Sequence, residues 1–187
     1  LLTSLQKQPY VWDTFSDIDN TALSIHSPNA FQGTKWVEQT GRWSTVGGYA
    51  RANGAAGSLA WIDSKIAEQI AIECDVVFAD VAVPQTLIFR YDAATGHHWR
   101  AGYANKKYVI YEITNTSTIR VNINVAPTFG QIYKLKVILE GDSIAFYVDG
   151  QLILNWTSSL NKNQTKHGLY CSSSTNTKFD NFKVNIL

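Results

Sequence analysis

Residues 97–112 read HHWRAGYANKKYVIYE, which sets two histidines, a tryptophan, an arginine, two lysines and three tyrosines in a chain otherwise sparing with charge. Residues of these types serve several chemistries. Histidine, tyrosine and arginine together could neutralise a uronate and abstract its proton, as a lyase requires. Aromatic rings could stack on the C–H face of a pyranose while arginine and histidine bind its hydroxyls. Zinc is a poorer fit, because adjacent His97 and His98 point to opposite faces of a strand, and His26 and His167 stand alone in the sequence. A second stretch with acid–base residue types is Glu73-Cys-Asp75-Val-Val-Phe78, whose two carboxylates share a strand face at a spacing of two. No nucleophile-elbow motif supports Ser/His/Asp hydrolysis.

The elements that must position these residues repeat with a period of two. In IAIECDVVF (70–78), Ile70, Ile72, Cys74, Val76 and Phe78 share one face, and Ala71, Glu73, Asp75 and Val77 the other. In YKLKVIL (133–139), Lys134 and Lys136 point to water while Tyr133, Leu135, Val137 and Leu139 face inward, the pattern of a half-buried antiparallel strand. A turn at Glu140-Gly141-Asp142 and the dipeptide Asp149-Gly150 then frame a β-hairpin, since Asp-Gly supplies the positive φ values of a type I′ turn. Further strands are expected at 43–52, 58–63, 86–92, 97–104, 107–114, 118–125, 166–172 and 178–186. Only 64–71 competes as a helix. This succession predicts an all-β protein, a sandwich or barrel. Residues 1–11 read as a tether to a preceding segment and 12–187 as a single domain. A chain that contains no Met and starts at Leu1 reads as a processed product or fragment.

Composition narrows the function. At 187 residues and 45% hydrophobic content, a core can form without disulfides. A net charge of +1 argues against a nucleic-acid partner, and no apolar run is long enough for a membrane span. Cys74 and Cys171 both lie on apolar strand faces. They read as free core thiols rather than a bridge, which would close a loop of about 100 residues and contribute roughly 4–5 kcal/mol. The sequons at Asn115, Asn155 and Asn163 read as chance.

The order of features also carries a resemblance. Asp13-x-Phe15 is followed by a Trp43 strand, ECDVVF, Phe89-Arg90-Tyr91, a tyrosine-rich meander, YKLKVILEGDSIAFYVDGQLI and HGLYCSSSTNTKFDNFKV. Over about residues 12–187 the chain resembles the concanavalin-A-like lectin/glucanase jelly rolls, the laminin-G-like group of sandwiches. The most telling parts are the hairpin from Gly141 to Gly150 and the closing Phe179–Phe182. The resemblance implies a two-sheet antiparallel β-sandwich with one convex and one concave sheet, paired N- and C-terminal strands, and carbohydrate, where bound, on the concave sheet or its rim loops. It also implies a structural Ca²⁺ in many members, held by an acidic residue near each terminus, which here would be Asp13 and Asp180. Calcium wants six to eight oxygens, and the other reading of these aspartates is that they cap strand ends or bond backbone amides. Glycosidases of the fold use Glu-x-Asp-x-x-Glu on one strand. In this chain Phe78 replaces the third carboxylate, so the general acid is missing.

Two readings of the opening stretch follow. If 97–104 and 107–114 are neighbouring strands, His97, Trp99, Ala101 and Tyr103 lie on one side and His98, Arg100 and Gly102 on the other. Parity alone leaves open which side enters the core and which way Arg90 and Tyr91 point. In one reading Trp99 and Tyr103 are core and the rest a solvated face. In the other, Arg90, His98, Trp99, Arg100, Tyr103 and Tyr111 form a carbohydrate-binding platform. Hairpin pairing further predicts that Tyr147, Leu152, Leu154 and Trp156 share a face opposite Ile144, Phe146, Val148 and Ile153. An apolar outer face of that kind would meet a neighbouring domain or subunit. The function expected is a non-catalytic, lectin-like module for surface or extracellular glycan, in a viral or phage attachment protein or a secreted modular protein, located extracellularly or on a virion. The alternatives are a structural module of a fibre, capsid or extracellular complex, and a polysaccharide lyase or glycosidase with a non-standard site.

Overall fold

The computed structural model describes residues 10–30, 35–53, 57–79, 83–172 and 176–187. Its strands in chain order are β1 (Val11–Asp13), β2 (Val37–Thr40), β3 (Trp43–Thr45), β4 (Ala50–Ala52), β5 (Ser58–Asp63), β6 (Ile70–Val77), β7 (Gln85–Tyr91) and β8 (His98–Ala104). They continue with β9 (Lys107–Ile113), β10 (Ser117–Ile123), β11 (Ile132–Glu140), β12 (Ser143–Val148), β13 (Gln151–Thr157), β14 (Lys166–Cys171) and β15 (Lys178–Ile186). No helix occurs among the described residues, and 64–71 runs through a loop into β6.

Two antiparallel sheets form a sandwich. One has the order β13-β12-β11-β6-β15-β4-β3, with β1 paired to β15, and the other the order β10-β9-β8-β7-β14-β5-β2. The two terminal strands pair as expected, Val11 opposite Val184 and Asp13 opposite Phe182. Tyr10 also belongs to the fold, its amide donating to the Val184 carbonyl (2.8 Å); residues 1–9 of the expected tether lie outside the described residues.

Alternation produces the core. Ile70, Ile72, Cys74 and Val76 of β6 meet Leu135, Val137 and Leu139 of β11 on one inner wall, facing Leu87, Phe89, Trp99, Ala101 and Tyr103 from the other sheet. Burying each large apolar side chain contributes about 1.5–3 kcal/mol. Cys74 and Cys171 are both buried, and no disulfide joins them.

The expected strand 43–52 is instead a hairpin. Gly47 and Gly48 both adopt positive φ, and Val46 and Tyr49 exchange backbone hydrogen bonds (2.8 and 3.3 Å) around this two-residue turn. The β12–β13 hairpin turns as expected at Asp149-Gly150, both at positive φ.

Within that hairpin the face assignment changes. A bulge shifts the register so that Tyr147 opposes Leu152 but Phe146 opposes Leu154 and Ile144 opposes Trp156. Leu154 therefore enters the core and Trp156 packs against it, while Leu152 is exposed. The four-residue apolar outer face expected from simple pairing does not form.

Candidate functional site

The second sheet carries the chemistry on its outer face. The strand registers align one row of residues across all seven strands: Val37, Trp61, Gly168, Ile88, Arg100, Tyr111 and Ile119. A neighbouring row carries Leu59, Tyr170, Thr86, Gly102 and Val109. Gly168 and Gly102 keep these rows low at their centres. A methyl group on Gly168 would stand 2.1 Å from the Ala60 carbonyl oxygen, and one on Gly102 2.5 Å from that of Gln85.

A bulge in β7 decides which residues reach this face. Lys166 pairs with Tyr91 and Gly168 with Ile88, so Phe89 and Arg90 together oppose His167. Arg90 takes a positive φ, and its amide points at His167 Nδ1 (3.4 Å), whose Nε2–H donates to the Ile66 carbonyl (3.1 Å). The extra residue resets alternation, so Phe89 and Arg90 both turn inward and Tyr91 turns out. The Arg90 guanidinium reaches the opposite sheet, donating to the Ser158 carbonyl (2.9 Å) and to the Gly141 carbonyl. It is a strut between the sheets and does not face a ligand.

The expected platform therefore divides. Arg90, Trp99 and Tyr103 are fully buried, and Trp99 donates its indole N–H to the Leu160 carbonyl (3.2 Å). These three belong to the core, because one face of β8 must cover it and the aromatic face is the more apolar. His98, Arg100 and Tyr111 lie together on the outer face. Sequence reasoning missed Trp61 and Tyr170, which complete it. Their outward aim follows from alternation once Ala60, Ile62, Leu169 and Cys171 are assigned to the core.

Arg100 is the centre of this face. Its guanidinium carbon lies 3.4 Å above the Tyr170 ring centroid, a cation–π stack. Its Nε–H donates to His98 Nε2 (2.8 Å), so His98 Nε2 is unprotonated and Nδ1–H donates to the Gly96 carbonyl (2.7 Å). Burial, then the Arg100 charge, holds the His98 pKa down to about 3. His98 is thus a neutral positioning group. Arg100, Tyr111, Ile113, Ser117, Tyr170 and Pro84 line a cleft of about 140 Å³. That is below the roughly 300–1,000 Å³ of drug-sized pockets and suits one ring or functional group rather than a chain. Beside it, Trp61 stacks on buried Tyr91 (5.9 Å, 25°), with Lys166 Nζ 5.5 Å from the Trp61 ring centroid.

No family model and no curated protein matches the chain. Solved structures do. The carbohydrate binding module CBM66 from Bacillus subtilis superposes with a TM-score of 0.68 at 18% identity, covering 80% of this chain and 94% of that one. A protein of unknown function with a galectin-like fold, also from Bacillus subtilis, gives 0.62 at 12% identity, covering 94% and 98%. Bacillus licheniformis beta-glucanase gives 0.56 at 13% identity, covering 92% and 94%. The fold is a concanavalin-A-like jelly roll.

In this jelly roll the Glu73/Asp75 pair lies on the outer face of the other sheet. Glu73 is ion-paired with Lys136 (3.3 Å), and Asp75 accepts from the Asn181 side chain (2.9 Å). Asp13 and Asp180, the aspartates expected to hold calcium, both accept hydrogen bonds from protein donors. Asp13 is fully buried and its two oxygens accept from the Phe15 amide (2.9 Å), His26 Nε2 (2.8 and 2.9 Å) and the Trp36 indole (2.7 Å). Asp180 is bound by the amide and side chain of Asn181 (2.7 and 3.2 Å). Among the described residues no group of three or more His, Cys, Asp and Glu side chains could hold a metal. Asp13 is a structural hub instead. It bonds the amide of Phe15, which takes a positive φ and buries its ring against His26 and Trp36. His26 bridges Asp13 to Asp17 (2.8 Å). Burial alone would lower the His26 pKa, but the bonds and charges of the two carboxylates more than offset it and leave it raised.

Proposed function

We propose that this jelly roll is a non-catalytic carbohydrate-recognition module that binds glycan on the outer face of the β10–β2 sheet. One observation carries the reading: Arg100, Tyr111 and Tyr170 line a shallow cleft on a face they share with His98 and Trp61. Half-exposed aromatic rings offer a flat apolar surface to the C–H face of a pyranose. The guanidinium and the phenol hydroxyls supply directional hydrogen bonds to its oxygens. The carbohydrate-binding module among the fold neighbours supports the reading. A site this shallow suits binding in the micromolar-to-millimolar range, about −8 to −4 kcal/mol. Such a module belongs in a secreted modular protein or a viral or phage attachment protein, acting outside the cell or on a virion.

The test is a broad glycan array with the purified domain, followed by titration of the best ligand into Trp61→Ala and Tyr170→Ala. Each substitution should weaken binding about tenfold or more while circular dichroism stays unchanged. Unchanged affinity in both folded variants would remove the site from this face.

A further inference from the structure

Among the described residues Arg100 is a cation without an anion. It makes no ion pair among the described residues, although it lies in a cleft rather than in open water. Among the described carboxylates, Glu112 shares the face of Trp99 and not that of Arg100, and Glu112 and Asp92 are both engaged by other partners. Glu112, on the adjacent strand, binds Arg120 through both oxygens (2.6 and 3.2 Å). Asp92 accepts from the Thr95 hydroxyl and the Ala94 amide (2.7 and 3.0 Å). A partly desolvated charge with no counter-ion is costly to keep, and the Tyr170 stack and His98 bond only partly compensate it.

The donor geometry is also specific. With Nε–H used on His98 and a terminal N–H directed at the Tyr170 hydroxyl, the guanidinium keeps its remaining N–H donors on the two terminal nitrogens. Two parallel N–H donors in one plane match the two oxygens of a carboxylate. His98 locks the arginine in this pose, because its acceptor nitrogen and Gly96-bound Nδ1–H fix the ring. Tyr111 and Ile113 provide apolar walls, and Ser117 is a neutral polar neighbour in the same cleft.

We infer that the Arg100 cleft is a carboxylate subsite and that the glycan bound on this face carries an acidic sugar, whose carboxylate pairs with Arg100 while its ring rests against Tyr170 and Tyr111. This rests on the platform reading above and deepens it. Neutral sugars would leave the guanidinium unpaired in the bound state, with more of its water removed.

The experiment is an array in which uronate- and sialate-terminated glycans stand beside their carboxyl-reduced, neutral counterparts, with sulfated and neutral glycans as further arms. It is probed with the native chain, Arg100→Gln and Arg100→Lys. The native chain should bind at least one carboxylate glycan about tenfold or more above its reduced counterpart, with the preference shrinking as salt rises. Arg100→Gln should abolish the preference, and Arg100→Lys should restore part of it by returning the charge without the planar fork. Equal binding to acidic and reduced members, or a ligand that is sulfated only, would overturn the carboxylate subsite and leave the platform standing. Binding to no glycan in any arm would overturn both.

Discussion

Lowering the pH from 6.5 to 5 is expected to cost the fold about 3 kcal/mol through two histidines. His98 and His167 are almost completely buried and each donates one ring N–H to a backbone carbonyl while the other nitrogen is turned to an N–H donor. Burial first, then the charge of Arg100, holds His98 at about 3; burial first holds His167 at about 4. Both values lie below the ordinary 6.5, so the unfolded chain takes up protons first. The stability from these groups is complete above pH 6.5 and is lost as the pH falls from there toward 4 and 3. At pH 6.5 the unfolded imidazoles are already half protonated, so the further loss down to pH 5 is about 1.6 kcal/mol for each histidine. His26 does not blur this window. Its raised pKa gives stability that is complete below 6.5 and is lost only as the pH rises through its folded value. Urea unfolding at the two pH values reads the difference. With a slope of about 2 kcal/mol per molar, the midpoint should fall by about 1.5 M. Imidazole ¹⁵N resonances should show His98 as the Nδ1–H tautomer, neutral throughout. A midpoint that does not move, or either histidine titrating near 6.5, would refute the assigned bonds.

Three other perturbations separate core from surface. Trp99→Ala should destabilise the domain by about 3–5 kcal/mol in thermal or urea unfolding, while the fraction that remains folded keeps its glycan affinity. Arg90→Met should cost about 3 kcal/mol by removing the two bonds that tie β7 to Gly141 and Ser158. Neither EDTA nor added calcium should shift the melting temperature, because the Asp13 oxygens are occupied by His26, Trp36 and the Phe15 amide.

Much of the fold was legible because alternation is a local signal. Ile70 to Val76 and the lysines of β11 announced their faces, and Asp149-Gly150 announced its turn. Gly47-Gly48 carried an equally good turn signal, obscured by reading 43–52 as one run. Bulges were not legible. One extra residue at Arg90 and another in β13 invert alternation from that point, and nothing in Phe-Arg-Tyr or Leu-Ile-Leu marks where the register slips. The platform was half legible for the same reason. Parity within β8 correctly grouped His98 with Arg100 and Trp99 with Tyr103, but choosing the inward set needed the opposing sheet. Trp61 and Tyr170 come from strands distant in sequence; sheet order alone puts them on the face of Arg100, where Tyr170 stacks against it. His26 looked isolated because its partners, Asp13 and Asp17, reach it through a loop closure.

The most direct test of where this protein works is chemical-shift mapping of the ¹⁵N-labelled domain during titration with the strongest glycan from the array. The indole N–H of Trp61, the side-chain N–H groups of Arg100 and the amides around Tyr111 and Tyr170 should move together with one saturation curve. Shifts confined instead to the cleft of about 390 Å³ at the β3 edge, around Glu38, Arg42 and Asn53, would contradict a binding face on the β10–β2 sheet.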